Sequence, residues 1–175
     1  MFSNPQKNLL QTGISKGTVI ADLGCGVGYY SILAGYMVGD EGVVYAIDTN
    51  SDLISKVAKE AKDEGLKNIR PIVGNIEKKG GTSLADGSVD LVIMANVAFA
   101  LENKKEAVVE AKRILKKKGR ILFIEWSDSF GGVGPHKDHV FKESEAMEIF
   151  LLEKFEMVQK IDAGEHHYGI IWRKV

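Results

Sequence analysis

With 175 residues, 45% hydrophobic and 27% charged, the chain has the make-up of one ordinary globular domain, long enough to bury a core without disulfide staples. Its formal net charge of −1 lacks the basic footprint of a protein that grips phosphate backbones, so nucleic acid is a disfavoured partner. The single cysteine, Cys25, permits no internal disulfide and no cysteine cluster, and no run approaches the ~20 apolar residues of a membrane span, so a cytoplasmic protein off the membrane is expected.

The opening MFSNPQKNLLQTG has no apolar stretch of signal-peptide length. Short, near-continuous apolar runs then alternate with longer helical patterns, which predicts a parallel α/β sheet. Strands are expected over residues 19–23, 43–47, 69–73, 89–94 and 120–124. Tyr30, Leu33, Ala34 and Met37 mark a first amphipathic helix that stops near Gly39. Leu53, Val57 and Ala61 mark a second, with Ser51 as its expected cap and Gly65 closing it. A third carries Ala107, Ala111, Ile114 and Leu115 behind Asn103 as N-cap, with Lys116, Lys117 and Lys118 at its negative pole and Gly119 ending it.

After the fifth strand a Gly-rich stretch from Ser127 precedes one more helix, striped by Met147, Phe150 and Leu151. Residues 156–161 and 169–173 read as two strands joined by the short loop DAGEHH, too short for a crossover helix and hence an antiparallel hairpin. Pro71 removes a ladder donor, which assigns the third strand to a sheet edge. A doubly wound sheet satisfies this and places its switch point, and any ligand, at the carboxyl ends of strands 1 and 4.

The first strand runs into Asp22-Leu23-Gly24-Cys25-Gly26-Val27-Gly28, and a helix follows at once. Tyr29 stands where a dinucleotide fingerprint needs its third glycine, and no Gly-Lys-Ser or Gly-Lys-Thr exists for a phosphate loop. Asp22 would repel a pyrophosphate but attract an ammonium or sulfonium, and S-adenosylmethionine has both. Asp48, just past the second strand, can accept hydrogen bonds from both ribose hydroxyls. Cys25 lies between loop glycines, and its backbone is expected to matter more than its thiol.

The segments VIADLGCGVGYY, VVYAID, IVGNIE, DLVIMANVAF and LKKKGRILFIEW resemble the successive motifs of class I S-adenosylmethionine-dependent methyltransferases, in particular the type 11 group that includes the ubiquinone/menaquinone-biosynthesis C-methyltransferases. The resemblance covers residues 5–175 and implies a Rossmann-like seven-stranded sheet ordered 3-2-1-4-5-7-6 with strand 7 antiparallel. It further implies S-adenosylmethionine as cofactor and S-adenosylhomocysteine as product, held by Asp22, Gly24, Cys25, Gly26 and Gly28, with Asp48 on the ribose and Asn75 and Ile76 framing the adenine. Many relatives carry aspartate at the Asn75 position, and an asparagine oxygen can still accept from the adenine amino group. Asn96 stands either beside the methionine part or as a strand-end turn residue.

The implied reaction is in-line methyl transfer to a small molecule, since no N-P-P-Y or D-P-P-Y follows strand 4 and no further cysteines exist for cytosine-C5 or arsenic methylation. An RNA-base methyltransferase and a catalytically silent cofactor-binding module are the rival readings. The chain is expected to be a single methyltransferase domain over 1–175 with no separate substrate domain, and a homodimer that completes its pocket stays open. Residues 127–141 are expected to form a substrate-covering lid, in which His136 or His139 supplies a group titrating near neutral pH. A metal held by these histidines and Asp138 is the lesser alternative, because no third ligand is fixed.

Overall fold

The computed structural model describes residues 3–175. Pro5 at the first helical position and Asn4, whose side chain accepts from the Lys7 amide at 3.0 Å, start the helix α1 (Pro5–Leu10). At six residues it is too short to show a periodic pattern, and the sequence reading missed it. Then β1 (Val19–Leu23), α2 (Tyr29–Val38), β2 (Val43–Asp48), α3 (Ser51–Asp63) and β3 (Ile69–Val73) alternate. The second half supplies β4 (Val89–Ala95), α4 (Lys104–Ile114), β5 (Leu115–Trp126), α5 (Glu143–Leu152), β6 (Phe155–Ile161) and β7 (His167–Lys174).

Among the described residues the strands form one seven-stranded sheet, ordered β3-β2-β1-β4-β5-β7-β6. The pairings from β3 through β5 are parallel, and β7 runs antiparallel to both β5 and β6. Pro71 sits on the edge strand β3, and the order reverses between β1 and β4, as the sequence predicted. Successive residues of a strand face opposite sides. Val92 and Met94 therefore join Ala111, Phe150 and Trp172 in the layer under α4 and α5, while Ile93 joins Leu9, Ala34 and Val57 in the layer under α1, α2 and α3.

Three local expectations are corrected. The cap of α3 is Asn50, whose Oδ1 accepts from the Asp52 and Leu53 amides, and not Ser51. Asn103 is the N-cap of α4 as expected, though its side chain makes no capping bond. The lysine run is not the end of that helix: α4 stops at Ile114 and Leu115 already pairs with Val89 in the sheet. Lys118 takes a left-handed φ of 63°, the β4–β5 register shifts there, and Lys116 pairs with Asp90 at 2.8 Å. Sheet pairing by the buried Leu115 thus overrides the helical propensity of three lysines. Finally, Leu151 is exposed; Ala146 and Phe150 are the buried face of α5.

The segment between β3 and β4 is pinned by one buried carboxylate. Glu110 of α4 accepts from the Gly80 and Thr82 amides, the Thr82 hydroxyl at 2.6 Å and the Arg113 guanidinium at 2.8 Å. Burial alone would raise its pKa, but Arg113, Thr82 and the two amides hold it down at about 2. Glu110→Gln should cost about 3 kcal/mol in urea unfolding, because it leaves a guanidinium short of its buried partner. Since the native pKa lies below the unfolded one, this stabilisation is complete above about pH 5 and fades as pH falls toward 2. An acid unfolding curve of the variant should lack that component.

Candidate active site

The carboxyl ends of β1, β2 and β3 open onto a cavity of about 250 Å³ whose walls include Gly24, Asp48, Asn75, Ile76, Val97 and Leu101. Four of the residues singled out in the sequence are thus brought together. The β1–α2 turn is fastened to β2: Gly24 and Cys25 donate to the Ile47 carbonyl at 2.8 and 3.0 Å, and Gly26 donates to Asp48 Oδ2 at 3.0 Å. Asp48 Oδ1 accepts from the Asn50 amide at 2.9 Å, so each oxygen keeps a lone pair for a ligand hydroxyl.

The three glycines differ in what they face. A Cβ on Gly24 would lie 2.2 Å from a Val97 methyl, and one on Gly28 would lie 2.8 Å from a Val57 methyl, so both are packing requirements. Gly26, at φ +56°, would direct a Cβ into space with no protein atom within 4 Å, as a backbone cradle open to a ligand requires. Gly28 also lies in a neighbouring groove with Val27 and Tyr29 rather than in the cavity. The Cys25 thiol is pushed up by burial and by the Asp22 and Asp48 carboxylates, which leaves it a poor nucleophile.

Asp22, the next-to-last residue of β1, is 2% exposed. Ser31 donates to its Oδ2 at 2.6 Å, and no cationic side chain among the described residues pairs with it. Burial raises its pKa to about 7 against the Ser31 bond, and Asp48 adds to the rise. A buried carboxylate in that condition suits a ligand that brings its own cation. Asn96 follows β4 directly, at φ 55°; its amide donates to the Ile124 carbonyl at 2.9 Å, while its buried Oδ1 has no partner. Both readings of Asn96 therefore have support, the turn from its backbone and the ligand contact from its unpartnered oxygen.

Asn75 is less free than expected: its Oδ1 accepts from the Glu77 amide at 2.9 Å, leaving one lone pair for the cavity. Ile76 is 4% exposed and lines it. Val97 and Leu101 flank a short 3₁₀ turn (Ala98–Ala100) after β4. Glu125 of β5 holds that turn, accepting from the Phe99 amide at 3.1 Å and from the Trp126 amide at 2.8 Å. Burial raises its pKa to about 7, against those backbone bonds.

The stretch 127–141 contains a Phe130–Val133 bridge and a 3₁₀ turn (Lys137–His139), with Gly134 laid against the Trp126 indole. His136 and His139 are both exposed. His136 pairs with Asp138 at 3.1 Å, and His139 lines a separate cavity of about 530 Å³ with Phe99, Leu101, Lys104 and Phe141. Neither borders the cavity holding Asp48. No helix of the described residues is long and apolar enough to cross a membrane.

A family model described as a methyltransferase domain matches residues 14–168. The chain belongs to this family. It is 26% identical over 161 residues to the ubiquinone/menaquinone biosynthesis C-methyltransferase UbiE of Erwinia tasmaniensis, covering 90% of this chain and 59% of that protein. It is 34% identical over 107 residues to the aklanonic acid methyltransferase DauC of a Streptomyces species, covering 61% of this chain and 47% of that one. Among solved structures, a SAM dependent methyltransferase from Aquifex aeolicus superposes with a TM-score of 0.90 at 26% identity, covering 99% of this chain and 91% of that one. The chain thus spans about three fifths or less of the two curated relatives.

The buried Asp22 generates a pH test. Its native pKa lies above the unfolded value, so its contribution to stability is greatest below about pH 4 and is lost as pH rises through about 7. In ligand-free protein Asp22→Asn should be stabilised relative to wild type at pH 8 and lose that advantage at pH 4, as read by urea midpoints. Equal midpoint differences at both pH values would mean that Asp22 does not carry a buried charge.

Proposed function

We propose that this methyltransferase-domain protein binds S-adenosylmethionine and transfers its methyl group, by in-line displacement, to a small-molecule acceptor in a reducing cytoplasm. The observation that carries the reading is the pair of carboxylates on adjacent strand ends: Asp22, buried without a cation, and Asp48, at the mouth with lone pairs to spare, with the G-x-G-x-G turn between them. A nucleoside bearing an ammonium and a sulfonium answers both. The similarity to proteins named as methyltransferases supports the same reading.

When bound, the cofactor supplies a methyl group already activated on a sulfonium. The chain's own task is then positioning. Asp48, fixed in place by the Gly26 amide, holds the sugar side, Ile76, Val97 and Leu101 supply an apolar wall for the base, and Asp22 sets the charge at the amino acid end. A net charge of −1 gives no support to an RNA substrate.

Two substitutions test the site. Asp48→Ala should weaken S-adenosylmethionine and S-adenosylhomocysteine by roughly 1.5–3 kcal/mol, the range for hydrogen bonds to a charged group. Equal calorimetric affinities for wild type and variant would sink the assignment. Gly26→Ala adds a methyl group in open space and should cost only about 1–2 kcal/mol of stability for the left-handed φ, yet lower cofactor affinity at least tenfold. Methyl transfer is then sought with methyl-labelled cofactor against fractionated metabolites, before and after nuclease treatment; loss of signal after nuclease would favour RNA. Binding with no transfer to any fraction would favour a silent module.

A further inference from the structure

The last strand opens on two histidines that differ in environment. His166 takes a left-handed φ of 64°, pairs through Nδ1 with Asp128 at 2.8 Å and stacks on Phe130. His167, the first residue of β7, lies opposite Trp126 of β5, with ring centroids 4.2 Å apart. Its Nδ1 lies 3.0 Å from the Glu165 carbonyl oxygen. A carbonyl can only accept, so Nδ1 carries the proton and Nε2 presents a bare lone pair. That Nε2 is buried and has no partner.

An unpartnered acceptor of this kind costs free energy unless a donor arrives. A second one stands on the same side of the sheet. Asn8 of α1 is fully buried, donates through Nδ2 to the Tyr30 hydroxyl at 2.9 Å, and leaves Oδ1 unpartnered. Asn8 lines a cavity of about 290 Å³ between α1 and the β6–β7 loop, whose wall also includes Ala163, Gly164 and Glu165, the residue that fixes the His167 tautomer. The β7 start lies two strands from the end of β4, or roughly 10 Å at ~4.8 Å per strand spacing.

The geometry points to His167 as the catalytic residue that accepts the proton of a hydroxyl-bearing methyl acceptor, of phenol or enol type, bound between α1 and the start of β7. This rests on the methyltransferase reading and deepens it. In the step the acceptor oxygen bonds to the methyl carbon as the carbon–sulfur bond breaks with its electron pair left on sulfur. The hydroxyl proton passes to Nε2, and the resulting imidazolium returns it to solvent. Burial and His166 lower the His167 pKa, opposed by the Glu165 carbonyl and by Asp128, which keeps the ring neutral and able to accept at neutral pH. A thioether or tertiary amine has no proton to give and leaves Nε2 unused.

The test begins with calorimetry of S-adenosylhomocysteine on wild type and His167→Gln. Failure of wild type to bind overturns the methyltransferase reading and this proposal with it. With binding shown, ¹⁵N-histidine spectra of the S-adenosylhomocysteine complex should report the Nδ1–H tautomer for His167, and phenol or catechol should move its Nε2 resonance while the His136 and His139 signals stay. With methyl-labelled S-adenosylmethionine, phenol or catechol should be methylated and trimethylamine should not, with kcat/KM falling as pH drops below the His167 pKa. His167→Gln should lose about 100-fold or more in kcat/KM, as expected for a lost general base, while keeping its affinity for S-adenosylhomocysteine. The proposal is overturned by an Nε2–H tautomer, by an unmoved Nε2 resonance together with no methylation of either phenol, or by wild-type turnover in His167→Gln. Should that variant misfold, the tautomer and the phenol titration on wild type decide alone.

Discussion

Three backbone amides tie the β1–α2 turn to the end of β2, and the rest of the site is arranged around that fastening. Gly24 and Cys25 share the Ile47 carbonyl, and Gly26 reaches the Asp48 carboxylate. The turn cannot swing away without losing all three bonds, so its open face is held over the crevice where the strand order reverses. The other wall is set by sterics. Gly24 has no side chain because the Val97 methyl occupies that space, so the turn after β4 closes directly onto the turn after β1. Two strands that are neighbours in the sheet but far apart in sequence are thereby locked at their carboxyl ends. Glu125 completes the arrangement from β5 by holding the Phe99 amide.

How much of this could be read from the chain follows from how local each cause is. Strands β1 and β3 have the expected bounds because the first is a buried apolar run and the second is marked by Pro71, whose missing donor belongs at an edge. The Lys116–Lys118 run misled because helix propensity is local, whereas the pairing of Leu115 with Val89 is not. Asp22, Gly24 and Asp48 were legible as one group because a strand, a glycine turn and a second strand impose their spacing. His167 was not, since only the folded sheet brings it against Trp126. His136 and His139 follow from the place of the 127–141 stretch after β5 and from their titration range; both are exposed, and only His139 lines a cavity, one apart from that holding Asp48.

Buried carboxylates in this protein fall into two groups, and the difference separates scaffold from site. Glu110 meets a guanidinium, a hydroxyl and two amides, and its pKa falls to about 2. Asp22 and Glu125 are equally hidden from solvent, yet both rise to about 7, because burial outweighs the hydrogen bonds they receive. A carboxylate satisfied within the chain stabilises the fold at neutral pH. One left without a cation destabilises the charged folded state there, and the cost is removed only by a proton or by a ligand that brings positive charge.

Both of the raised carboxyls lie near the carboxyl ends of central strands, whereas Glu110 lies on α4, the helix that connects β4 to β5. The sign of the linkage then divides the molecule. Between about pH 4 and 7 the native state holds more protons at Asp22 and Glu125 than the unfolded chain does, so ligand-free stability from these groups falls as pH rises. A cation brought to Asp22 would show the opposite slope, because the ionisation that costs the fold stability also creates the charge such a ligand needs. The cost carried by the fold at neutral pH is therefore placed where ligand binding can offset it, and the glycine turn keeps that place open.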